Sequence, residues 1–219
     1  MALLNNMLNW IPSLLRGARI TIMLTLLSVA AGIILGLFLA LGKMSKKKPL
    51  SKFCAGYIFF FRGTPLLMQL YFVYYSLPQI HKSLTINDGF TAAFIAFALN
   101  NAAYAAEIIR AAIQSIGKGQ REAAKALGMT YAQTMRLIIV PQSIRRLIPP
   151  LGNEFIMVLK DVSLVSIIAL TDITKVTKSL SSTTASPWPY VPAMILYLII
   201  TAIFTYVIHK LEKKYSVYE

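Results

Sequence analysis

The chain of 219 residues has few of the side chains on which soluble enzymes and disulfide-stabilised domains depend. Cys54 is its one cysteine, so an intrachain disulfide or a cysteine cluster is excluded. The two histidines, His81 and His209, are far apart in the sequence, which disfavours a metal site. Charged residues make up 14% of the chain, well under the roughly 25% that is usual for a soluble domain.

Motifs of nucleotide and hydrolase chemistry are also missing. The sequence contains no G-x-x-x-x-G-K-[ST] phosphate loop, so it lacks the backbone amides and the lysine that would hold ATP phosphates. It contains neither H-E-x-x-H nor G-x-S-x-G. We therefore predict that this chain is not an enzyme and holds no cofactor of its own.

Apolar residues dominate what is present. They make up 57% of the chain, and the mean hydropathy is +0.63, which is typical of a membrane protein. A spanning helix needs about 20 largely apolar residues, because each residue rises about 1.5 Å through a hydrocarbon layer of about 30 Å. We predict an all-α membrane protein whose single domain, 1–219, has five transmembrane helices, at 20–42, 53–78, 89–110, 147–171 and 191–209. Trp10 and Pro12 indicate an interfacial segment before the first span.

Basic residues set the predicted orientation. The net charge of +14 could suggest a nucleic-acid partner, but the distribution argues against one. Fifteen Lys and Arg lie in 43–52, 110–146 and 210–214, and five lie in the alternate loops. Cytoplasmic loops carry such an excess, so we predict an outside N-terminus and a cytoplasmic C-terminus.

The second predicted span contains Gly63-Thr64-Pro65. Proline disfavours helical geometry in the residue before it, and glycine weakens the turn. We predict a kink or break here. Such a break can line a substrate cavity, as it does in many transporters, or it can serve packing only.

The segment 119–140 is charged and helix-prone within an otherwise apolar chain. Gly128 suits the left-handed end of a first short helix, and Thr130 with Gln133 has the spacing of a capping box that begins a second. Pro141 predicts a change of direction after about Val140. A simple amphipathic helix on the membrane surface would explain the position and the basic charge of this segment. It would not require Gly128, the second capping box and the alanines Ala123, Ala124 and Ala126 together.

This segment resembles the EAA loop of ATP-binding-cassette (ABC) importer permeases. The pattern is Glu122-Ala-Ala124, Gly128 and Ile138-x-Val140-Pro141, where the family usually has Leu-Pro. Further motifs resemble the polar-amino-acid branch of that family, in order along nearly the whole chain: Phe60-Phe-Arg-Gly-Thr-Pro65, Ala106-Glu-Ile-Ile-Arg110, Gly152-Asn-Glu-Phe155 and Lys160-Asp-Val-Ser-Leu164.

The resemblance implies a MetI-like type I importer permease in the bacterial inner membrane. It implies cytoplasmic ABC ATPase subunits that bind ATP and Mg, an extracytoplasmic substrate-binding protein and a second permease subunit, with a homodimer favoured over a heterodimer. It also implies that the EAA segment docks on the ATPase. The candidate ATPase-coupling residues are Gln120, Arg121, Glu122, Ala123, Ala124, Leu127 and Gly128.

Ionisable residues inside spans are candidates for function because their insertion into lipid is costly. Glu154 and Asp161 are seven residues apart and share one helix face. Two acids on one face favour a substrate with a cationic side chain, arginine, lysine or histidine, whose carboxylate could meet Arg62. The candidate substrate contacts are Glu154, Asp161, Arg62, Thr64, Asn101, Tyr104, Met157 and Ser163, and Glu107 with Arg110 is a possible gate.

Several alternatives stay open at this point. Glu154 and Asp161 could hold helices together without touching substrate. The substrate could be a neutral or acidic polar amino acid such as glutamine. In other classes, the chain could be an autonomous channel or secondary transporter, which the missing inverted repeat disfavours, or a membrane-bound enzyme, which the missing catalytic motifs disfavour.

Overall fold

The computed structural model describes residues 2–215, and within that range every regular element is helical. The α-helices are α1 (Ala2–Lys43), α2 (Lys48–Gly63), α3 (Leu66–Tyr71), α4 (Leu77–Ile80), α5 (Gly89–Gln114), α6 (Lys118–Ala126), α7 (Tyr131–Thr134), α8 (Val140–Asp161), α9 (Ile173–Thr184) and α10 (Tyr190–Tyr215). The predicted all-helical class is confirmed for this range.

Within the described part of the chain, three helices are long and apolar enough to cross a membrane: Met7–Lys43, Gly89–Gln114 and Tyr190–Tyr215. They contain the predicted spans 20–42, 89–110 and 191–209. The interfacial segment expected before the first span is not separate, because α1 runs through Pro12 without interruption. The predicted spans 53–78 and 147–171 are interrupted, so the five-span topology stays a prediction.

The break in the second predicted span is confirmed. Helix α2 ends at Gly63, and Thr64 is extended, with φ −117° and ψ 145°. Helix α3 begins at Leu66, directly after Pro65. The extended Thr64 is the conformation that the ring of a following proline favours.

Two π-helical segments, Phe72–Ser76 and Met135–Ile139, lie just before prolines. The N–H of Leu77 bonds to the carbonyl of Phe72, and the N–H of Val140 bonds to that of Met135. A wider turn relieves the clash between a proline ring and the carbonyl four residues earlier. Pro141 was predicted to end the second short helix at about Val140. That helix end is wrong, because helical structure continues from α7 through the π segment into α8.

The fourth predicted span also ends differently from the expectation. Helix α8 ends at Asp161, and a 3₁₀ segment, Val162–Ile168, follows it. Ala169 then adopts a left-handed conformation with φ 60°. Helix α9 was not predicted. Asp172 caps it by accepting hydrogen bonds from the backbone N–H groups of Thr174 at 2.9 Å and Lys175 at 2.8 Å.

Helix α5 is the centre of the molecule and packs along α1, α2 and α8. Much of its buried surface is alanine, and small side chains allow the close helix approach that packing in lipid requires. A Cβ added at Gly36 of α1 would lie 2.8 Å from the Cβ of Ala105. Glycine at that position lets α1 touch α5.

Helix α5 begins beside Asp88, outside the predicted span. The Asp88 carboxylate accepts hydrogen bonds from the Thr91 hydroxyl at 2.7 Å and the Thr91 N–H at 2.8 Å. The hydroxyl and the N–H of Thr91, together with the N–H of Phe90, lower the pKa of Asp88 below its usual value. The charged carboxylate also faces the positive end of the helix dipole.

Candidate functional site

A cavity of about 380 Å³ lies where the break in the second predicted span faces α5 and α8. The segment around the break supplies one wall, and polar residues of the two helices supply the others. The lining residues are Arg62, Gly63, Thr64, Pro65, Leu66, Phe97, Asn100, Tyr104, Glu154, Met157, Val158 and Asp161.

Side chains satisfy the backbone groups that the break frees. The Thr64 hydroxyl donates to the carbonyl of Phe60 at 2.8 Å. The Gln69 amide nitrogen donates to the Phe61 carbonyl at 3.0 Å, the Thr64 carbonyl at 3.1 Å and the Thr64 hydroxyl at 2.8 Å. These contacts replace helical hydrogen bonds, so the break is a stable wall of the cavity.

Asn100 completes this network from α5. Its amide nitrogen donates to the Phe61 carbonyl at 3.1 Å and to Oε1 of Gln69 at 2.9 Å. Both side chains are largely buried, with 9% of Asn100 and 7% of Gln69 exposed. Buried amides with their hydrogen bonds made are rigid, so these two residues hold the break against α5.

The opposite wall carries the two acids of α8. Glu154 is partly buried, and its Oε1 accepts a hydrogen bond from the Asn101 amide nitrogen at 3.2 Å. Asp161 is more exposed, two turns further along. Both residues line the cavity, so two acidic side chains of one helix belong to the same wall.

Arg62 lies between this cavity and a second one. Its guanidinium carbon is 5.3 Å from the centre of the Tyr104 ring, within range of a cation–π contact, and its Nη1 is 3.9 Å from Oε2 of Glu107. Arg62 also lines the second cavity, of about 500 Å³, together with Glu107, Arg110 and Arg146.

Glu107 is the centre of a charged cluster. Nζ of Lys43 is 2.6 Å from Oε1 of Glu107, and Nη2 of Arg110 is 2.7 Å from Oε2. Arg110 and Glu107 are three residues apart on α5, and Lys43 comes from the end of α1. One carboxylate thus joins α1 to α5, and Arg62 approaches it from α2.

The segment 118–134 begins with α6 and turns sharply at Gly128, which has φ +72°. The N–H of Met129 bonds to the Ala124 carbonyl and that of Gly128 to the Lys125 carbonyl, both at 3.0 Å. This is a Schellman C-cap. The side chain of Thr130 and that of Gln133 then form a reciprocal capping box at α7. The predicted glycine turn and capping box are both confirmed.

A profile of the family described as "binding-protein-dependent transport system inner membrane component" matches residues 32–217. The chain belongs to this family. Among its relatives are the L-cystine transport system permease protein TcyB of Bacillus subtilis, 41% identical over 94% of this chain and 88% of that protein, the glutamine transport system permease protein GlnP of Escherichia coli, 35% identical over 94% of each chain, and the arginine transport system permease protein ArtQ of Bacillus subtilis, 38% identical over 93% of each.

Solved structures agree with this assignment. A crystal structure of an amino acid ABC transporter with histidines is similar with a TM-score of 0.89 and 41% identity, over 95% of this chain and 97% of that one. The MetNI methionine ABC transporter in an inward-facing conformation has a TM-score of 0.79 at 17% identity, over 93% and 96%, and it shows the fold alone. The MetI-like permease fold is thus confirmed.

The predicted substrate contacts of the permease fall into two groups. Six of them line the first cavity: Arg62, Thr64, Tyr104, Glu154, Met157 and Asp161. Asn101 and Ser163 do not line it. Asn101 is 1% exposed and packs against Gly32 of α1, where an added Cβ would overlap its amide. Its effect on a ligand would therefore pass through Glu154.

Sequence reasoning missed Gln69 and Asn100. Asn100 precedes Asn101, and α5 could present either amide to the cavity, since adjacent residues differ by about 100° around a helix. Gln69 is a polar residue within the apolar run that follows Pro65. A long amide in such a run was the available signal, because buried polar groups need partners.

The residues predicted to couple the permease to an ATPase are not all on the surface. Ala124 is 1% exposed and faces the permease itself. Arg121 donates to the Ile113 carbonyl at 3.3 Å, and Gln120 accepts from the Gln142 side chain at 3.4 Å. Four exposed residues of the segment are grouped under the name coupling face: Glu122, Ala123, Leu127, which is 80% exposed, and Tyr131, which is 79% exposed.

Proposed function

We propose that this chain is the transmembrane permease subunit of an ABC importer for a polar amino acid with a cationic side chain. The observation that carries the substrate class is the pair Glu154 and Asp161 on one wall of a cavity that also contains Arg62. The acids would hold a cationic side chain, and the guanidinium would hold the substrate carboxylate. Arginine, lysine and histidine have this distribution of charge.

The relatives support an amino acid as the cargo. Their names give cystine, glutamine and arginine, and the similar crystal structure is of an amino acid transporter with histidines. These molecules share the α-amino acid group and differ in the side chain. The permease would therefore bind the shared α-amino acid group at one end of the cavity and the variable side chain at the other.

A neutral substrate such as glutamine is the second candidate. The observation that favours it is the glutamine permease, which is 35% identical over nearly the whole chain. Tyr104, which lines the cavity, could bond a carboxamide through its hydroxyl. A comparison of the uptake of basic amino acids with the uptake of glutamine distinguishes the two candidates.

Transport would proceed by alternating access in a five-span subunit with its N-terminus outside. The two interrupted segments, 53–78 and 147–171, would cross the membrane, and the break at Thr64 would line the cavity, since irregular backbone at membrane depth occurs where it borders a cavity. The distribution of Lys and Arg supports a cytoplasmic position for α6 and α7.

The coupling face would dock on a separate ATPase that binds ATP and Mg. Leu127 and Tyr131 offer exposed apolar anchors, and Glu122 offers a charge that fixes orientation. A second permease subunit, identical or related, and an extracytoplasmic binding protein would complete the importer. Glu107 with Arg110 and Lys43 would serve as a gate between the two cavities.

The test is uptake into proteoliposomes that contain the permease, its ATPase and its binding protein. We expect ATP-dependent uptake of arginine, lysine or histidine that exceeds uptake of glutamine and of glutamate. Uptake without ATP would instead indicate an autonomous carrier. Higher uptake of glutamine than of every basic amino acid would contradict the cationic preference and leave the permease assignment intact.

A further inference from the structure

We propose that Oδ1 of Asn100 receives the α-ammonium group of the transported amino acid, and that Gln69 keeps the Asn100 amide in the orientation this requires. The inference rests on the proposed function only in taking an amino acid as the substrate. It does not depend on the charge of the substrate side chain.

The hydrogen-bond partners determine the orientation of both amides. The carbonyls of Phe61 and Thr64 can only accept, so the atom of Gln69 that faces them must be the nitrogen. Oε1 of Gln69 is then the atom near Asn100, and it accepts from the Asn100 nitrogen at 2.9 Å. The same nitrogen also faces the Phe61 carbonyl at 3.1 Å. A flipped Asn100 would place its oxygen against two acceptors.

These two bonds use both N–H groups of the Asn100 amide. Among the described side chains, those of residues 7–215, no donor bonds to Oδ1 of Asn100, yet that atom is not fully buried. The buried side-chain atoms without a partner in that range are Ser28 Oγ and Asn101 Oδ1. Because Asn100 lines the first cavity, the polar atom that it offers there is an acceptor that the network cannot rotate away.

An acceptor at this place complements Arg62. The Asn100 amide bonds to the carbonyl of Phe61, the residue directly before Arg62 in the chain. An amino acid carries its carboxylate and its ammonium group on the same carbon atom, so their partners must be neighbours. Arg62 offers a guanidinium for the carboxylate and Asn100 offers a carbonyl oxygen for the ammonium group, and both residues line the first cavity.

Glu154 and Asp161 lie on the other wall, on α8, and remain for the side chain. If the ammonium group were instead bound by these acids, the cationic side chain would lack its partners. Asn100, a neutral acceptor, would thus bind the α-ammonium group that all amino acids share. Glu154 and Asp161, the charged acceptors, would bind the side chain, which varies. Gln69 is a positioning residue, because it is not among the residues that line the first cavity and acts through Asn100.

The experiment measures binding to the purified permease–ATPase complex without a binding protein, so that the permease is the amino acid receptor that is measured. Isothermal titration compares L-arginine with its α-desamino analogue, which lacks only the ammonium group, and L-glutamine with its α-desamino analogue. The ratio of the two Kd values within each pair is the amine ratio. A hydrogen bond to a charged group predicts an amine ratio of about tenfold to a hundredfold in the wild type.

Asn100→Ser should bring the amine ratio close to one while binding of the desamino analogue stays at wild-type strength, which reports an intact cavity. Gln69→Met should lower the ratio in the same direction, because the freed amide can rotate. Asn101→Ser is the matched control one position along. Since Asn101 contacts Glu154 and not the cavity, its amine ratio should remain that of the wild type.

An unchanged amine ratio in Asn100→Ser would overturn the proposal, and so would a wild-type ratio near one, which needs no variant. If Asn100→Ser does not fold, the amine ratio of Asn100→Thr is measured instead. A failure of the proposed preference for cationic substrates would give a different result. Glutamine would then bind more tightly than arginine, while the amine ratio of each pair and its loss in Asn100→Ser would persist.

Discussion

Glu154→Gln is the substitution that tests the substrate class most directly. It keeps the length of the side chain and an oxygen that can accept from the Asn101 amide, which lies 3.2 Å from Oε1 of Glu154. It removes the negative charge from a wall of the cavity. The local packing should survive, so a change in transport would report the charge itself.

The expected loss of affinity follows from the contact that the substitution removes. A hydrogen bond between a carboxylate and a cationic group is worth roughly 1.5–3 kcal/mol, and every 1.4 kcal/mol or so corresponds to about tenfold in affinity. Asp161 stays in place and lines the same cavity, which keeps part of the attraction. We expect the apparent affinity for arginine to fall about tenfold to a hundredfold and that for glutamine to change little.

The assay is uptake into proteoliposomes, with the binding protein saturating, for both amino acids. Glu122→Gln is the matched control, because it is the same isosteric change on the exposed coupling face. It should lower the maximal rate for both amino acids alike. Equal losses of arginine and glutamine affinity in Glu154→Gln would refute the reasoning and leave Glu154 as a structural residue.

The remaining predictions concern coupling, topology and the gate. Gly128→Val should uncouple ATP hydrolysis from transport, because a β-branched residue resists φ +72°; normal transport would contradict a role for this turn. In a Cys54→Ala background, a cysteine at Gly119, where an added Cβ meets nothing within 4 Å, should be labelled only from the cytoplasm and one at Ser83 only from outside. External labelling at Gly119 would reverse the topology. Glu107→Gln should increase ATP-independent efflux of preloaded arginine, because it leaves the surrounding cations without their shared partner; unchanged efflux would remove the gate role.

Local chemistry explains what was predictable in the fold. The break before Pro65 results from a steric clash between neighbouring residues, and the turn at Gly128 results from the absence of a side chain. The capping box of Thr130 and Gln133 depends on two residues three apart. The break, the turn and the capping box each depend on residues within a few positions of one another, so the sequence alone is enough to predict them.

The π segments before Pro78 and Pro141 were not foreseen, although their cause is also local. A proline inside a helical pattern usually predicts an end or a kink. Here the helix absorbs it with one wider turn. The choice between ending and widening depends on whether the residues beyond the proline are packed, and α8 is held against α5 and α10.

The sequence by itself determined that this protein is a helical membrane component and that a helix breaks before Pro65. The tertiary structure alone decided which amide reaches the cavity. Asn100 bonds to a residue 31 positions away, and Asn101 to one 53 positions away. Similarly, Lys43 and Glu107 are 64 positions apart. Such partners depend on how whole helices are rotated and spaced, and close packing of α1 on α5 through small residues sets that rotation.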